Sequence, residues 1–146
     1  YAGWGGSLAP DEVARRVAAA EAACTNEPSA WLPDFLASLF SGDGPYEGAT
    51  EIAEIAADRH PVGARIMLHA FADADLRPVL GRIRTPTLLL YGEADRRAPP
   101  PVARDLHGRV PGAELTMLEG GGHLVQGEAP ERFQAAVRRF LARHAG

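Results

Sequence analysis

The fold of this chain is indicated first by the stretch TPTLLLYGEAD, residues Thr85–Asp95. Its centre, residues 87–91, is a continuous apolar run of strand length, and a run without polar alternation is typical of a strand buried on both faces. A second strand is predicted over Glu114–Leu118, after a helical segment that Pro111 ends, and Pro130 then opens a long amphipathic helix. The order strand, helix, strand, helix predicts an α/β fold with a parallel sheet.

The first half of the chain has a helical pattern instead. Large apolar residues recur there at i, i+4 spacing, and a Gly/Pro-rich turn is predicted at residues 41–45. The predicted helices span Val13–Ala23, Trp31–Phe40 and Thr50–Ala57, and a fourth begins at Pro61. Because two strands do not make a stable open sheet, we expect its other strands to lie elsewhere. The aromatic residues of this half could either line a pocket or pack between helices: Trp31, Phe35, Phe40 and Phe71.

The composition excludes several classes of protein. The chain has 146 residues and a net charge of −4, and all 15 of its basic residues are arginines scattered among acids. A mildly acidic chain without a basic face is a poor candidate for binding nucleic acid. No apolar run approaches the roughly 20 residues that span a bilayer, so no membrane partner is expected. The single cysteine, Cys24, fits a reducing compartment, and we expect a cytoplasmic protein.

Two residues that can do chemistry follow the predicted strands. Asp95 comes after the first strand, in GEAD, and His123 after the second, in GGGH. If the strands are parallel neighbours, the loops after them emerge at one edge of the sheet, and the two side chains can meet there. A carboxylate on one ring nitrogen fixes the tautomer and leaves the other nitrogen to take a proton from a nucleophile. The nearby Glu93, Arg96 and Arg97 are predicted to be solvated loop residues, and the alternative for Arg96 and Arg97 is contact with an anionic substrate.

Taken together, these motifs make the chain resemble the C-terminal part of an α/β-hydrolase. The resemblance rests on residues 85–95, Pro111–Leu115, Gly122-His123 and Glu128–Glu131. It implies a partial α/β-hydrolase fold, with a helical cap followed by two parallel strands and their flanking helices. The implied organisation assigns residues 1–7 to the exit of a core strand, 8–80 to the cap and 81–146 to the C-terminal part of the core.

The resemblance also implies a mechanism. Asp95 takes the place of the triad acid and His123 that of the triad histidine, in an enzyme that needs no cofactor and, since no metal-ligand pattern occurs, no metal. An ester, lactone or related small molecule is the implied substrate if the nucleophile is a serine. An aspartate in that position would instead imply the alkyl-enzyme route of epoxide hydrolases and haloalkane dehalogenases.

The nucleophile elbow of that family, G-x-S-x-G, does not occur in this chain. The nearest string is GGSLA around Ser7, which keeps the family's order of nucleophile, acid and histidine but has no apolar strand before it. We therefore predict that Ser7 is not the nucleophile. The chain opens with Tyr1 rather than a methionine, and we expect further sequence upstream that carries the nucleophile. The 146 residues alone are then expected to be inactive.

A non-catalytic function is the alternative. A chain with two strands leaves an open sheet edge and an uncovered cap interior, and such surfaces favour association. The protein would then be a partner-dependent or receptor-like relative of the hydrolases, for instance a homo-oligomer that dimerises through its sheet edge.

Overall fold

The first half of the protein is helical. The computed structural model describes residues 1–42, 44, 46 and 48–144, so the turn predicted at 41–45 falls partly outside the described residues. In what we call the helical half, residues 1–80, the elements are α1 (Pro10–Thr25), a 3-10 turn (Pro28–Ala30), α2 (Leu32–Leu39), α3 (Ala49–Ala57), α4 (Pro61–Asp73) and α5 (Arg77–Leu80). None of the described helices is long and apolar enough to cross a membrane.

The rest of the described chain, residues 81–144, forms the α/β half. Its elements are β1 (Leu88–Gly92), α6 (Pro100–Arg109), β2 (Glu114–Leu118), α7 (Val125–Glu128) and α8 (Pro130–His144). The strands pair in parallel, from Leu88 opposite Glu114 to Gly92 opposite Leu118. The predicted α/β fold with two parallel strands is confirmed, and α6 and α8 both pack on the sheet.

The prediction that β1 is buried on both faces is wrong for this chain. Its residues Leu88 to Tyr91 are only half-buried. Within the described residues β1 pairs with β2 along one edge, and no strand lies along its other edge. A buried core does form beneath the sheet, where Val102 and Leu106 of α6 pack with Ala2 and Leu80.

Most helices begin as their sequences predict. A proline occupies the first turn of α1, α2, α4 and α6, where its missing N–H costs no hydrogen bond. Helices α1 and α4 pack against each other, and Trp4, Leu68 and Ala72 form a small buried cluster with α1. The four-residue helices α5 and α7 were not predicted, because they are too short to show a helical period.

Two glycines permit close backbone contacts that place the loops of the α/β half. A Cβ atom at Gly92, the last residue of β1, would lie 2.0 Å from the carbonyl oxygen of Gly121. Gly121 in turn leaves room only for Val125, whose Cγ2 would lie 2.4 Å from an added Cβ. The end of β1 and the glycine loop after β2 can therefore approach each other only without side chains.

Candidate active site

The loops after β1 and β2 are joined by backbone hydrogen bonds at one edge of the sheet. The N–H of Glu93 donates to the carbonyl of Leu118 at 3.0 Å, and the N–H of Ala94 donates to Gly121 at 2.9 Å. The first of these bonds extends the parallel ladder one residue beyond Gly92, and the second joins the loop after β1 to the glycine loop after β2. The residues that follow on each loop are consequently brought side by side.

Asp95 and His123 meet at that edge. The Nδ1 atom of His123 lies 2.9 Å from Oδ2 of Asp95. The other carboxylate oxygen, Oδ1, accepts the backbone N–H groups of Arg97 and Ala98, each at 2.8 Å. The carboxylate is held from both sides, and it fixes the plane of the imidazole ring.

Asp95 is the one charged residue among the fully buried described residues, at 4% exposure. Burial pushes the pKa of its carboxyl group up, but the hydrogen bond with His123 and those from Ala98 and Arg97 outweigh burial and hold the pKa below its ordinary value. The group is accordingly a carboxylate at neutral pH. A buried carboxylate of this kind stabilises a positive charge on the neighbouring ring.

His123 presents its second ring nitrogen away from the carboxylate. Its side chain is 31% exposed and lines a shallow cavity of about 310 Å³ together with Tyr1, Asp95 and Ala98. Since Nδ1 faces Asp95, Nε2 is left as the proton acceptor when Nδ1 carries the hydrogen. The arrangement can take a proton from a hydroxyl group placed in that cavity and return it to a leaving group.

Glu128 is also part of this site, although the sequence analysis assigned it no function. Its Oε1 accepts the N–H of Ser41 at 2.5 Å, and its Oε2 accepts the N–H of Gly122, next to His123. A Cβ at Gly122 would lie 2.7 Å from the nitrogen of Ser41, so this contact also depends on a glycine. Glu128 thus ties the end of α2 to the loop that carries the histidine.

The remaining predicted residues are placed as follows. Ser7 accepts the backbone N–H of Ala2 at 2.8 Å, and no hydrogen bond joins it to His123 within the described residues. Glu93 and Arg96 are exposed, as predicted for solvated loop residues. Arg97 is different, because its side chain is half-buried and donates to Oγ of Ser38 at 2.8 Å. The loop turns inward at Arg97, which sequence pattern alone could not show.

No group of three or more His, Cys, Asp or Glu side chains that could hold a metal ion occurs in the described part of the chain.

Comparisons with known proteins identify the family to which this chain is similar. Residues 2–136 match the Alpha/beta hydrolase family. RutD of Pseudomonas syringae pv. syringae, a carbamate hydrolase by name, is 40% identical over 75 residues, which are 51% of this chain and 29% of RutD. The pimeloyl-[acyl-carrier protein] methyl ester esterase of Neisseria meningitidis serogroup B is 33% identical over 81 residues, 56% of this chain and 31% of that protein.

Solved structures agree with the sequence relatives. An esterase from Exiguobacterium antarcticum superposes with a TM-score of 0.80 at 25% identity, over 92% of this chain and 49% of the esterase. The chain therefore spans less than a third of these curated relatives and about half of that solved structure. Since the family match covers nearly the whole chain, the protein belongs to the α/β-hydrolase family.

Proposed function

We propose that this chain supplies the acid and the histidine of a nucleophile–histidine–acid triad in a hydrolase of ester-like bonds. The observation that carries the proposal is the contact between His123 Nδ1 and the buried carboxylate of Asp95, at 2.9 Å. In this role His123 is the general base toward the nucleophile and then the general acid toward the leaving group. Asp95 orients the ring and stabilises the imidazolium.

The nucleophile of this proposal lies outside the 146 residues. The chain contains no G-x-S-x-G motif, and it spans about half of the solved esterase that it resembles in fold. Ser7 is occupied by the backbone of Ala2, which supports leaving it out of the triad. In the proposed organisation, residues 1–7 leave a core strand, 8–80 form a cap beside the site and 81–146 complete the core.

The reaction class follows the names of the relatives. They include a methyl ester esterase, a carbamate hydrolase and a solved esterase. Esters and carbamates both have a carbonyl carbon that a serine can attack, with His123 protonating the departing group. We therefore assign acyl hydrolysis without a cofactor, rather than the alkyl-enzyme route, to the complete protein.

The test is to replace each member of the pair in the complete protein that contains this chain. With p-nitrophenyl butyrate as substrate, Asp95→Asn and His123→Ala should each lower kcat by about 10³- to 10⁴-fold, because the first favours the wrong tautomer and the second removes the base. The matched control is His107→Ala, which removes an exposed histidine on α6 and should leave kcat unchanged.

Unchanged turnover in both Asp95 and His123 variants would contradict the assignment. Absence of turnover in the unmodified complete protein would instead favour the non-catalytic alternative. The apolar side chains exposed on α3 and α4 are the feature that favours this alternative, among them Ile55, Ile66 and Met67 at 73%, 64% and 66% exposure.

A further inference from the structure

A second and larger cavity lies in the helical half, next to the proposed triad residues. It has a volume of about 890 Å³, is open to solvent, and is lined by residues of α1 to α4 and of the loop after β1. Both tryptophans of the chain, Trp4 and Trp31, line it together with Phe35 and Leu68. The volume of this cavity and its aromatic and aliphatic lining are typical of a site that binds a small apolar molecule.

The loop of Asp95 forms part of the wall of this cavity. The backbone N–H of Arg97 donates to Asp95, while the guanidinium group of Arg97 lines the cavity. Ser38, which accepts a hydrogen bond from that guanidinium, is adjacent to Leu39, whose carbonyl accepts the N–H of Leu124 beside His123. A molecule bound in the cavity would therefore lie against the same loops that hold Asp95 and His123.

Three guanidinium groups lie over aromatic rings that line this cavity: Arg16 over Trp4, Arg59 over Trp31 and Arg97 over Phe35. The Cζ atom of Arg59 lies 3.7 Å from the ring centroid of Trp31, and that of Arg97 lies 5.2 Å from the centroid of Phe35. Stacking uses the face of a guanidinium and leaves N–H donors on its edge for a planar anion. Neither Arg59 nor Arg97 forms an ion pair with a carboxylate within the described residues, whereas Arg16 is paired with Glu12.

The charge balance of the cavity is positive. Burial lowers the pKa of the Arg97 guanidinium, which means that its charge is partly deprived of water without full compensation. The indole N–H of Trp31 is buried and has no hydrogen-bond acceptor among the described residues. Asp34 is the single acid among the described residues that line the cavity, and its residue is exposed. A carboxylate bound beside Arg59 and Arg97 would meet two guanidinium groups that form no ion pair with a carboxylate of the described residues, whereas Arg15 and Arg16 are paired with Glu12.

We propose that the cavity binds an acyl chain of medium length that ends in a carboxylate, with Arg59 and Arg97 holding the carboxylate and the aromatic walls holding the chain. The further statement that such a chain is the acid part of the ester substrate, a monoester of a dicarboxylic acid, rests on the proposed function. Binding of the carboxylate itself does not. Arg59 and Arg97 are specificity-determining residues in this inference and have no part in the chemical step.

The experiment measures binding by isothermal titration calorimetry to the complete protein that contains this chain, in the His123→Ala variant so that the ester probe is not hydrolysed. Octanoate and methyl octanoate are the two probes, equal in chain length and different in charge. Octanoate should bind at least about tenfold more tightly, since hydrogen bonds to a charged group are worth about 1.5–3 kcal/mol. Added salt should weaken octanoate binding and leave methyl octanoate unaffected.

Substitutions of the two arginines test whether they bind the carboxylate of octanoate. Arg59→Met and Arg97→Met keep an apolar stem and remove the charge, and each should weaken octanoate binding by about tenfold while leaving methyl octanoate nearly unchanged. Arg82→Met, at an exposed position outside the cavity, is the matched control. Equal affinity for the two probes, no binding of either, or octanoate binding that survives both substitutions would overturn the inference.

This measurement is independent of turnover. If octanoate binds as expected and the Asp95 and His123 variants keep full activity, the proposed function fails and the cavity assignment stands. If the activity of the complete protein depends on Asp95 and His123 but octanoate has no advantage over its methyl ester, only the cavity assignment fails.

Discussion

The helical half and the α/β half bury their apolar residues in different ways. In the α/β half, helix α6 alone buries Val102, Ala103 and Leu106. Among the described residues of this half, Leu141 of α8 is the one large apolar side chain that is well exposed. In the helical half, the 16-residue helix α1 and the helix α3 contain no buried residue. Seven of the eight large, exposed apolar side chains of the described chain belong to this half: Ile55, Val62, Ile66, Met67, Phe71, Leu76 and Val79.

The difference shows how the two halves divide their roles. The pairing of β1 with β2 and the close approach of Gly92 and Gly121 hold Asp95 and His123 in one geometry, and there is no room for added volume at that contact. The helices of the other half have a small buried cluster and line a cavity beside it, which is lined in part by the aromatic side chains of Trp4, Trp31 and Phe35. The α/β half therefore fixes the geometry of Asp95 and His123, and the helical half provides space for a ligand.

The largest effect on stability is expected at Gly92. Gly92→Ala would place a Cβ 2.0 Å from the carbonyl oxygen of Gly121, and the loop could accept it only by moving the backbone beside His123. We expect a loss of about 3 kcal/mol in the free energy of unfolding, at the upper end of overpacking effects. Urea denaturation of the full chain measures this loss.

A matched glycine in the helical half sharpens this test. Gly63 lies in α4 with nothing within 4 Å of an added Cβ, so Gly63→Ala should raise the free energy of unfolding by about 0.5–1 kcal/mol. Equal effects at the two glycines would mean that the α/β half is not the more tightly packed one.

A smaller effect is expected at the connection between the halves. Glu128 accepts N–H groups of both Ser41 and Gly122, and only a carboxylate offers two acceptors. Glu128→Gln turns one acceptor into a donor that faces an N–H group, which should destabilise the chain by about 1–3 kcal/mol. Hydrogen exchange should show faster exchange of the Ser41 and Gly122 amides.

Glu131→Gln is the control, because Glu131 is exposed in the first turn of α8. If the two amides exchange equally fast in the Glu128→Gln variant and in the parent, the halves are not held together by this carboxylate.

The smallest effect concerns acid stability of the helical half. Hydrogen bonds from Arg15 and then Arg16 lower the pKa of Glu12 to about 2. Because the folded chain binds this proton less readily than the unfolded chain, the ion pairs contribute stability above about pH 4.3, and the contribution is lost as pH falls toward about 2. For a pair at the surface this amounts to less than about 1 kcal/mol.

Unfolding by urea at about pH 6 and at about pH 3 measures that contribution. Glu12→Gln should reduce the loss of stability between the two pH values, whereas Glu119→Gln, at an exposed residue outside the ion pairs, should not. The same pH dependence in parent and Glu12→Gln would show that Glu12 adds no acid sensitivity.

Much of the α/β half could be predicted from local patterns. The bounds of β2 agree with the predicted Glu114–Leu118, and α8 begins at the predicted Pro130. The meeting of Asp95 and His123 follows from the topology of parallel neighbouring strands, and the structure places the two side chains 2.9 Å apart. Their part in catalysis stays a proposal, which the kcat measurements test.

The sequence by itself determined the order of the longer elements, the parallel pairing and the two loops that carry Asp95 and His123, because apolar periodicity and proline positions act over a few residues. Only the tertiary structure decided that Arg97 turns inward, that Arg59 stacks on Trp31 and that Glu128 joins Ser41 to Gly122. These contacts join residues far apart in the chain or depend on side-chain direction, and no local pattern specifies either.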